Sequence, residues 1–122
     1  MEKYWYSGTV IRVVDGDTVE IELQLGFKIT RTDKFRILGI DSPETTYRRK
    51  GLSDEEWEAE KIAGAKAKEF ASELLPEGTE VMVRTHKDGQ GKYGRYLAEI
   101  FIGDANFATE MLKAGHAEEY KK

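Results

Sequence analysis

The clearest pattern in the chain is a strict alternation of polar and apolar residues from position 18 to position 25. Its apolar members are Val19, Ile21, Leu23 and Leu25. A period of two places these side chains on one face, which predicts a half-buried antiparallel strand. The preceding segment, residues 9–14, is rich in β-branched residues and ends at Asp15-Gly16, a dipeptide typical of tight turns. Together the two segments predict a β-hairpin.

Three further strands are predicted downstream. Residues 27–40 form the third, which we expect to be bent or interrupted near Thr32 and Asp33. Residues 81–84 and 97–102 form the fourth and fifth, and a loop at 87–94 separates them.

Two helices complete the pattern. Ser53-Asp54-Glu55-Glu56 has the form of a capping box, in which Ser53 begins a helix and Glu56 supports it. Pro76-Glu77-Gly78 ends this helix, and its predicted apolar face consists of Ala59, Ala63, Ala67, Phe70 and Leu74. Asn106 is predicted to cap a short second helix that Gly115 closes. The predicted fold class is α+β and mainly β: one domain over residues 1–122, a five-stranded barrel of the OB type with a long helix between strands three and four and a short C-terminal helix.

Composition and charge narrow the function only slightly. The chain has 122 residues, a formal net charge of −4 and no cysteine, so disulfides and thiolate metal sites are excluded. It has neither an apolar signal core at its start nor an apolar run long enough to span a membrane, which leaves open whether the protein is cytoplasmic or secreted after removal of a leader. Residues 31–51 and 84–96 are locally basic, whereas residues 53–80 are strongly acidic. This distribution permits binding of a polyanion, although a solvated mixed surface explains the charge equally well.

The segment FRILGIDSPE carries the most specific chemistry. It places Arg36, Asp41 and Glu44 at the end of an apolar strand, where charges are costly unless they are paired, solvated or bound to something. Pro43 fixes its own backbone angle and favours an extended Ser42, so the two acids lie on a stiff turn. Carboxylates on a rigid turn suit a hard divalent cation, and a nearby arginine suits a phosphate.

Each candidate segment also has a simpler structural explanation. In this explanation, Asp15-Gly16-Asp17-Thr18 is a hairpin turn, although such a turn needs only one acid and leaves Asp17 without a role. Arg36 and its neighbouring acids would form a structural ion pair. Lys92-Tyr93-Gly94-Arg95 is a glycine turn, and Arg48-Arg49-Lys50 is a solvated basic loop. All these segments lie at strand ends or in loops, where sites are usually built, and their joint presence favours phosphodiester hydrolysis.

The motifs DGDT, FRILGIDSPE and KYGRYLA, followed by a helix ending at Gly115, resemble the staphylococcal nuclease (thermonuclease) family in order and spacing. The resemblance covers residues 9–115. It implies an OB-type barrel and a calcium-dependent nuclease (a phosphodiester hydrolase) that cleaves DNA and RNA and leaves a 3′-phosphate.

The resemblance also implies roles for individual residues. Asp17 and Asp41 match the side-chain calcium ligands, and Ser42 matches a position that supplies a backbone carbonyl. Glu44 matches the residue that holds or activates the attacking water. The phosphate-binding arginines correspond to Arg36 and Arg95, and the nucleotide-contacting positions to Lys92, Tyr93 and Lys50. We expect single-stranded or locally melted DNA and RNA as partners, no membrane and no disulfide partner, and a monomer.

Some positions depart from the family pattern. Gly91 replaces a frequent acid, the last helix is missing or reduced, and Tyr120 is out of step by one with the tyrosine expected to stack on a base. His86 and His116 have no evident partner in the sequence and are interpreted as surface or packing residues. Two alternatives therefore stay open: a non-catalytic nucleic-acid- or protein-binding module on the same barrel, and a structural domain of a longer protein.

Overall fold

A computed structural model describes residues 4–43, 45, 48, 50–86 and 96–120. Its strands are β1 (Trp5–Asp15), β2 (Thr18–Gln24), β3 (Thr30–Ile37), β4 (Ile40–Asp41), β5 (Glu80–His86), β6 (Tyr96–Ile102), β7 (Ala105–Asn106) and β8 (Glu118–Glu119). Its helices are α1 (Asp54–Leu74) and α2 (Phe107–Lys113).

Five strands close into a barrel. The order is β3-β2-β1-β5-β6, with antiparallel neighbours throughout. Parallel pairing of β3 with β6, in which Phe35 is opposite Tyr96, completes the circle. β7 extends the edge of β6, and β4 pairs with β8 in a separate two-stranded sheet. The predicted OB-type barrel is therefore confirmed, with α1 between its third and fourth barrel strands.

The hairpin predicted from the alternating pattern is also confirmed. Val19, Ile21 and Leu23 are buried in the barrel core, opposite β1. The strand ends one residue earlier than predicted, at Gln24, and Leu25 is 40% exposed. The turn itself consists of Gly16 and Asp17.

The third strand differs from its prediction at both ends. Phe27 and Lys28 lie in the turn that follows β2, with φ angles of 54° and 63°, so the strand begins only at Thr30. Ile40–Asp41 is a separate strand, because Gly39 turns the chain with a φ of 86°. The interruption predicted near Thr32 and Asp33 is wrong, since both residues keep continuous pairing with β2.

Helix α1 begins as predicted, and its predicted apolar face is confirmed in its second half, where Ala67 is buried and Phe70 and Leu74 pack against the core. The capping box is present, with Ser53 Oγ accepting from Glu56 N and Glu56 Oε1 accepting from Ser53 N. Ala59 and Ala63 are exposed, whereas Gly64, Ala67 and Ala71 face the barrel. Alanine costs little to expose, so a row of alanines marks the buried face poorly.

The cap of helix α2 agrees with its prediction, whereas only one of the two histidines does. Asn106 Oδ1 caps α2 by accepting from the N–H groups of Ala108 and Thr109, as predicted. His116 packs its ring on Phe70, which agrees with a packing role. His86 does have a partner, because its Nε2 lies 2.9 Å from Glu99 Oε2. Neither described helix is long and apolar enough to cross a membrane.

Candidate functional site

Arg36, at the end of β3, is the centre of a charged cluster on the barrel rim. Its Nη1 lies 3.4 Å from Asp17 Oδ2, and its Nη2 donates to Asp41 Oδ1 at 3.3 Å. Nη1 also donates to the carbonyl oxygen of Ile40 at 2.9 Å and to that of Ile37 at 3.3 Å. Only 16% of the side chain is exposed. The guanidinium is therefore held in one position by two acids and by the backbone of the turn after β3.

Asp17 joins the hairpin turn to the segment that carries Ser42. Its Oδ2 accepts the backbone N–H of Ser42 at 2.9 Å, and its Oδ1 accepts the hydroxyl of Thr18 at 3.2 Å. Burial by itself would raise the pKa of Asp17, but a hydrogen bond with Asp15, the charge of Arg36 and the hydrogen bonds from Ser42 together hold that pKa below its ordinary value. Asp17 is therefore an anion at neutral pH.

Gly16 allows these segments to meet. A Cβ atom at this position would lie 2.8 Å from Ser42 Cβ and 3.1 Å from Ala67 Cβ. The β1–β2 turn thus packs closely against both the turn after β4 and helix α1. The sequence marked Gly16 as a turn residue, but its main constraint is this close approach.

A polar cavity of about 190 Å³ adjoins the cluster. Its lining includes Asp41, Ser42, Glu60, His116 and Glu118. Glu60 and Glu118 were not among the predicted site residues. The sequence gave a weak indication that Glu60 belongs to the site, because Glu60 precedes Gly64 by one helical turn on the half-buried side of α1. The sequence gave no such indication for Glu118, because this residue reaches the site only through the pairing of β8 with β4.

Tyr120 also reaches the site through that pairing. Its ring lies over Arg36, with 5.8 Å between the ring centroid and Arg36 Cζ. The sequence placed this tyrosine one position away from the family pattern, and it gave no indication of contact with the arginine.

Several predicted site residues lie outside the described residues: Glu44, Lys92, Tyr93 and Arg95, together with Gly91 and Arg49. Their neighbours in the sequence are described. Pro43 lines the cavity beside Asp41, and Tyr96 pairs with Phe35, the residue before Arg36.

The basic loop before α1 is described only in part. Lys50 is exposed, and within the described part of the chain no ion pair joins it to the cluster. Arg48 instead ties the loop to the start of α1, donating to Asp54 Oδ1 at 2.8 Å.

The donor set of the cluster fits a hard divalent cation in chemical type. Asp17 and Asp41 offer carboxylate oxygens, and Ser42 offers a backbone carbonyl, which are the ligands that calcium prefers. Within the described ranges no group of three acidic or histidine side chains is arranged to hold a metal. The described cluster thus supplies two acidic ligands, and the remaining acid of the motif, Glu44, lies outside those ranges.

Comparisons with known proteins cover most of the chain. The sequence profile of the family described as "Staphylococcal nuclease homologue" matches residues 34–122. An uncharacterized protein of Methanocaldococcus jannaschii is 38% identical over 94% of this chain and 59% of its own length. Endonuclease YhcR of Bacillus subtilis is 31% identical over 94% of this chain and 9% of its own length.

A thermonuclease of Staphylococcus intermedius is 30% identical over 91% of this chain and 58% of its own length. The chain thus spans less than two thirds of each of these three relatives. The profile match covers most of the chain, including the end of β3 with Arg36 and the turn with Asp41, and the barrel agrees with the fold expected from the motifs. The chain therefore belongs to the staphylococcal nuclease family.

Proposed function

We propose that this chain is a calcium-dependent nuclease that hydrolyses phosphodiester bonds in DNA and RNA. The observation that carries the proposal is the cluster of Asp17, Arg36 and Asp41, three charged residues from separate segments that meet at one rim of the barrel. The names of two relatives, an endonuclease and a thermonuclease, support the same reaction class.

The charge balance of the cluster favours a bound cation. Two carboxylates around one guanidinium leave a net negative charge, which repels a phosphate. Asp17, Asp41 and the Ser42 carbonyl are the groups that would hold calcium in this position. When bound, the ion supplies positive charge that neutralises and orients the scissile phosphate.

Arg36 is suited to bind the phosphate because its position is fixed before substrate arrives. Donors that are already oriented toward developing charge lose no energy to reorganisation during the reaction. Oxygen atoms of four residues, Ile37, Ile40, Asp17 and Asp41, hold the guanidinium in place. Arg95 is proposed as the second phosphate-binding arginine.

Glu44 is proposed to hold or deprotonate the attacking water, as a carboxylate can when it lies beside the reacting phosphate. Lys50, Lys92 and Tyr93 are proposed to contact the nucleotide. The expected substrates are single-stranded or locally melted nucleic acids, and the expected solution state is a monomer.

Digestion of single-stranded DNA during a calcium titration tests the proposal. Wild-type cleavage should rise with calcium and stop in excess EGTA. Arg36→Ala, Glu44→Ala and Arg95→Ala should each lower turnover by about 10²–10³-fold with folding retained, as loss of one oriented catalytic group does elsewhere. Arg12→Ala is the matched control, because Arg12 pairs with Glu20 on the surface away from the cluster.

Three results would contradict the proposal in different parts. Full cleavage in EGTA would remove the calcium requirement. Equal activity of wild type and the three variants would remove the assigned roles. Tight binding of single-stranded DNA without cleavage at any calcium concentration would favour the non-catalytic binding module.

A further inference from the structure

A groove lined by tyrosines opens at the end of the barrel away from the β1–β2 turn. It encloses about 310 Å³, and the side chains that matter for its chemistry are Tyr4, Tyr6, Arg31, Asp33, Phe35 and Tyr96. Tyr4 is 63% exposed and Tyr96 is 40% exposed. Large aromatic faces are thus open to solvent at a concave surface, although the barrel core lies directly beneath them.

The groove combines aromatic faces with a positive charge. Arg31 Cζ lies 5.9 Å from the centre of the Tyr96 ring, and Arg31 Nη2 lies 3.2 Å from Asp33 Oδ2. Arg31 is 60% exposed, so its guanidinium can exchange the Asp33 carboxylate for a phosphate. Stacking rings beside an exposed cation are the groups that bind single-stranded nucleic acids, because every base has a π-face and every linkage has a charge.

The barrel fixes the backbone of both exposed tyrosines. Tyr4 has a φ of 68°, a conformation that costs free energy in residues other than glycine. Its carbonyl accepts the N–H of Thr85 at 2.9 Å, which holds this end of the chain at the mouth of the groove. Tyr96 is the first residue of β6 and pairs with Phe35. Strained residues held by their surroundings often mark binding sites.

The groove and the charged cluster lie toward different ends of β3, and no residue of the cluster lines the groove. Phe35 forms part of the groove wall, and the next residue is Arg36. From Arg31 to Arg36 the strand rises by about 17 Å, at about 3.3 Å per residue. Because successive side chains of a strand point to opposite faces, Arg31 and Phe35 face the groove whereas Arg36 faces away from it. The groove is therefore a surface of its own.

We propose that the groove binds the bases of a single-stranded nucleic acid. The bases stack on Tyr4 and Tyr96, and Arg31 contacts a phosphate between them. The proposal takes its substrate class from the proposed function, but it concerns a surface separate from the Asp17–Arg36–Asp41 cluster. It predicts that affinity depends on oligonucleotide length.

Binding without cleavage tests this proposal. Fluorescence anisotropy in EGTA would compare a labelled dinucleotide with a labelled twelve-residue oligothymidylate. Tyr4→Ala and Tyr96→Ala should each weaken binding of the longer strand by about tenfold, as loss of one stacking aromatic does in other single-strand sites. The matched controls, Phe27→Ala and Lys68→Ala, remove an exposed aromatic and an exposed cation outside the groove, and they should change neither affinity.

A second measurement uses the wild-type protein alone, so it does not depend on the folding of variants. A twelve-residue strand with abasic positions on both sides of a central dinucleotide should bind about as weakly as the dinucleotide. The proposal would be overturned if this abasic strand bound wild type as tightly as the intact strand does. It would also be overturned if both tyrosine variants bound the intact strand with unchanged affinity. The groove would then suit another partner, such as an apolar protein segment.

The two proposals fail in distinguishable ways. Length-dependent, tyrosine-dependent binding with no cleavage in calcium would support the groove and reject the nuclease. Calcium-dependent cleavage with no effect of Tyr4 or Tyr96 on binding would reject the groove and support the nuclease.

Discussion

The ring of Tyr120 covers the guanidinium of Arg36 at 5.8 Å from Cζ, although the two residues are far apart in the sequence. The backbone fixes this arrangement, because Tyr120 N–H donates to the carbonyl of Gly39 at 2.9 Å and β8 pairs with β4. The central arginine of the cluster is thus held by two acids and covered by an aromatic ring from the C-terminal segment.

A double-mutant cycle should detect this contact. Arg36→Ala, Tyr120→Ala and the double variant should give a coupling free energy of about 0.5–1 kcal/mol in urea unfolding, the range for a partly exposed cation–π pair. Tyr120→Phe keeps the ring face and should retain the coupling. Additive effects of the two alanine substitutions would show that the ring and the guanidinium do not interact.

Gly16→Ala should destabilise the protein. The new Cβ would approach the Cβ atoms of Ser42 and Ala67 to 2.8 Å and 3.1 Å, and relieving such contacts typically costs about 1–3 kcal/mol. Urea unfolding gives the change directly. Adding Ser42→Gly should recover part of the loss, because it removes the nearest atom. A Gly16→Ala variant as stable as wild type would mean that the turn can move away from α1 at no cost.

The barrel was predictable because its strands bury one face, and burial of alternate residues leaves a period of two in the sequence. The ends of β3 were not predictable in the same way. Phe27 and Lys28 adopt left-handed turn conformations that usually signal glycine or asparagine. Strand β8 consists of the polar pair Glu118–Glu119, and no hydrophobic pattern in the sequence predicts a strand there.

The charged cluster was predictable in composition but not in its contacts. Asp17, Arg36 and Asp41 were expected at one rim, and the structure brings them together. The proximity of Gly16 to Ser42 and the position of Tyr120 depend on packing between segments that are distant in sequence, and local patterns do not encode such distances. The roles assigned to all the site residues stay predictions, including those of Glu44, Lys92, Tyr93 and Arg95.

Calcium should raise the melting temperature of the wild-type protein, because a ligand that binds the folded state stabilises it. Asp41→Asn should remove most of this increase, each variant being compared with its own calcium-free melting temperature. Glu20→Gln is the control, since Glu20 pairs with Arg12 outside the cluster. Differential scanning fluorimetry with and without EGTA gives both values. An equal increase for wild type and Asp41→Asn would exclude Asp41 as a ligand.

The capping box of α1 should make stability depend on pH. The backbone N–H of Ser53 donates to the Glu56 carboxylate, and with the Ser53 hydroxyl it lowers the pKa of Glu56 from its ordinary value of 4.5. A carboxyl whose pKa is lowered by folding stabilises the protein above its unfolded pKa, and this contribution is lost as the pH falls through the folded pKa. The stability gap between wild type and Glu56→Gln should therefore be widest above pH 4.5 and close at lower pH.

Glu55→Gln is the matched control for this prediction, because it removes a carboxylate from the same helical turn without the capping contact. In Ser53→Ala the backbone donor remains and the hydroxyl is lost, so the pKa of Glu56 should return only part of the way toward its ordinary value. NMR titration of the Glu56 carboxyl carbon measures this change. The difference in free energy of unfolding between wild type and Glu56→Gln could instead stay constant across the acid range. The negative charge of Glu56 would then contribute nothing to stability, and the side chain would act only as a neutral hydrogen-bond acceptor.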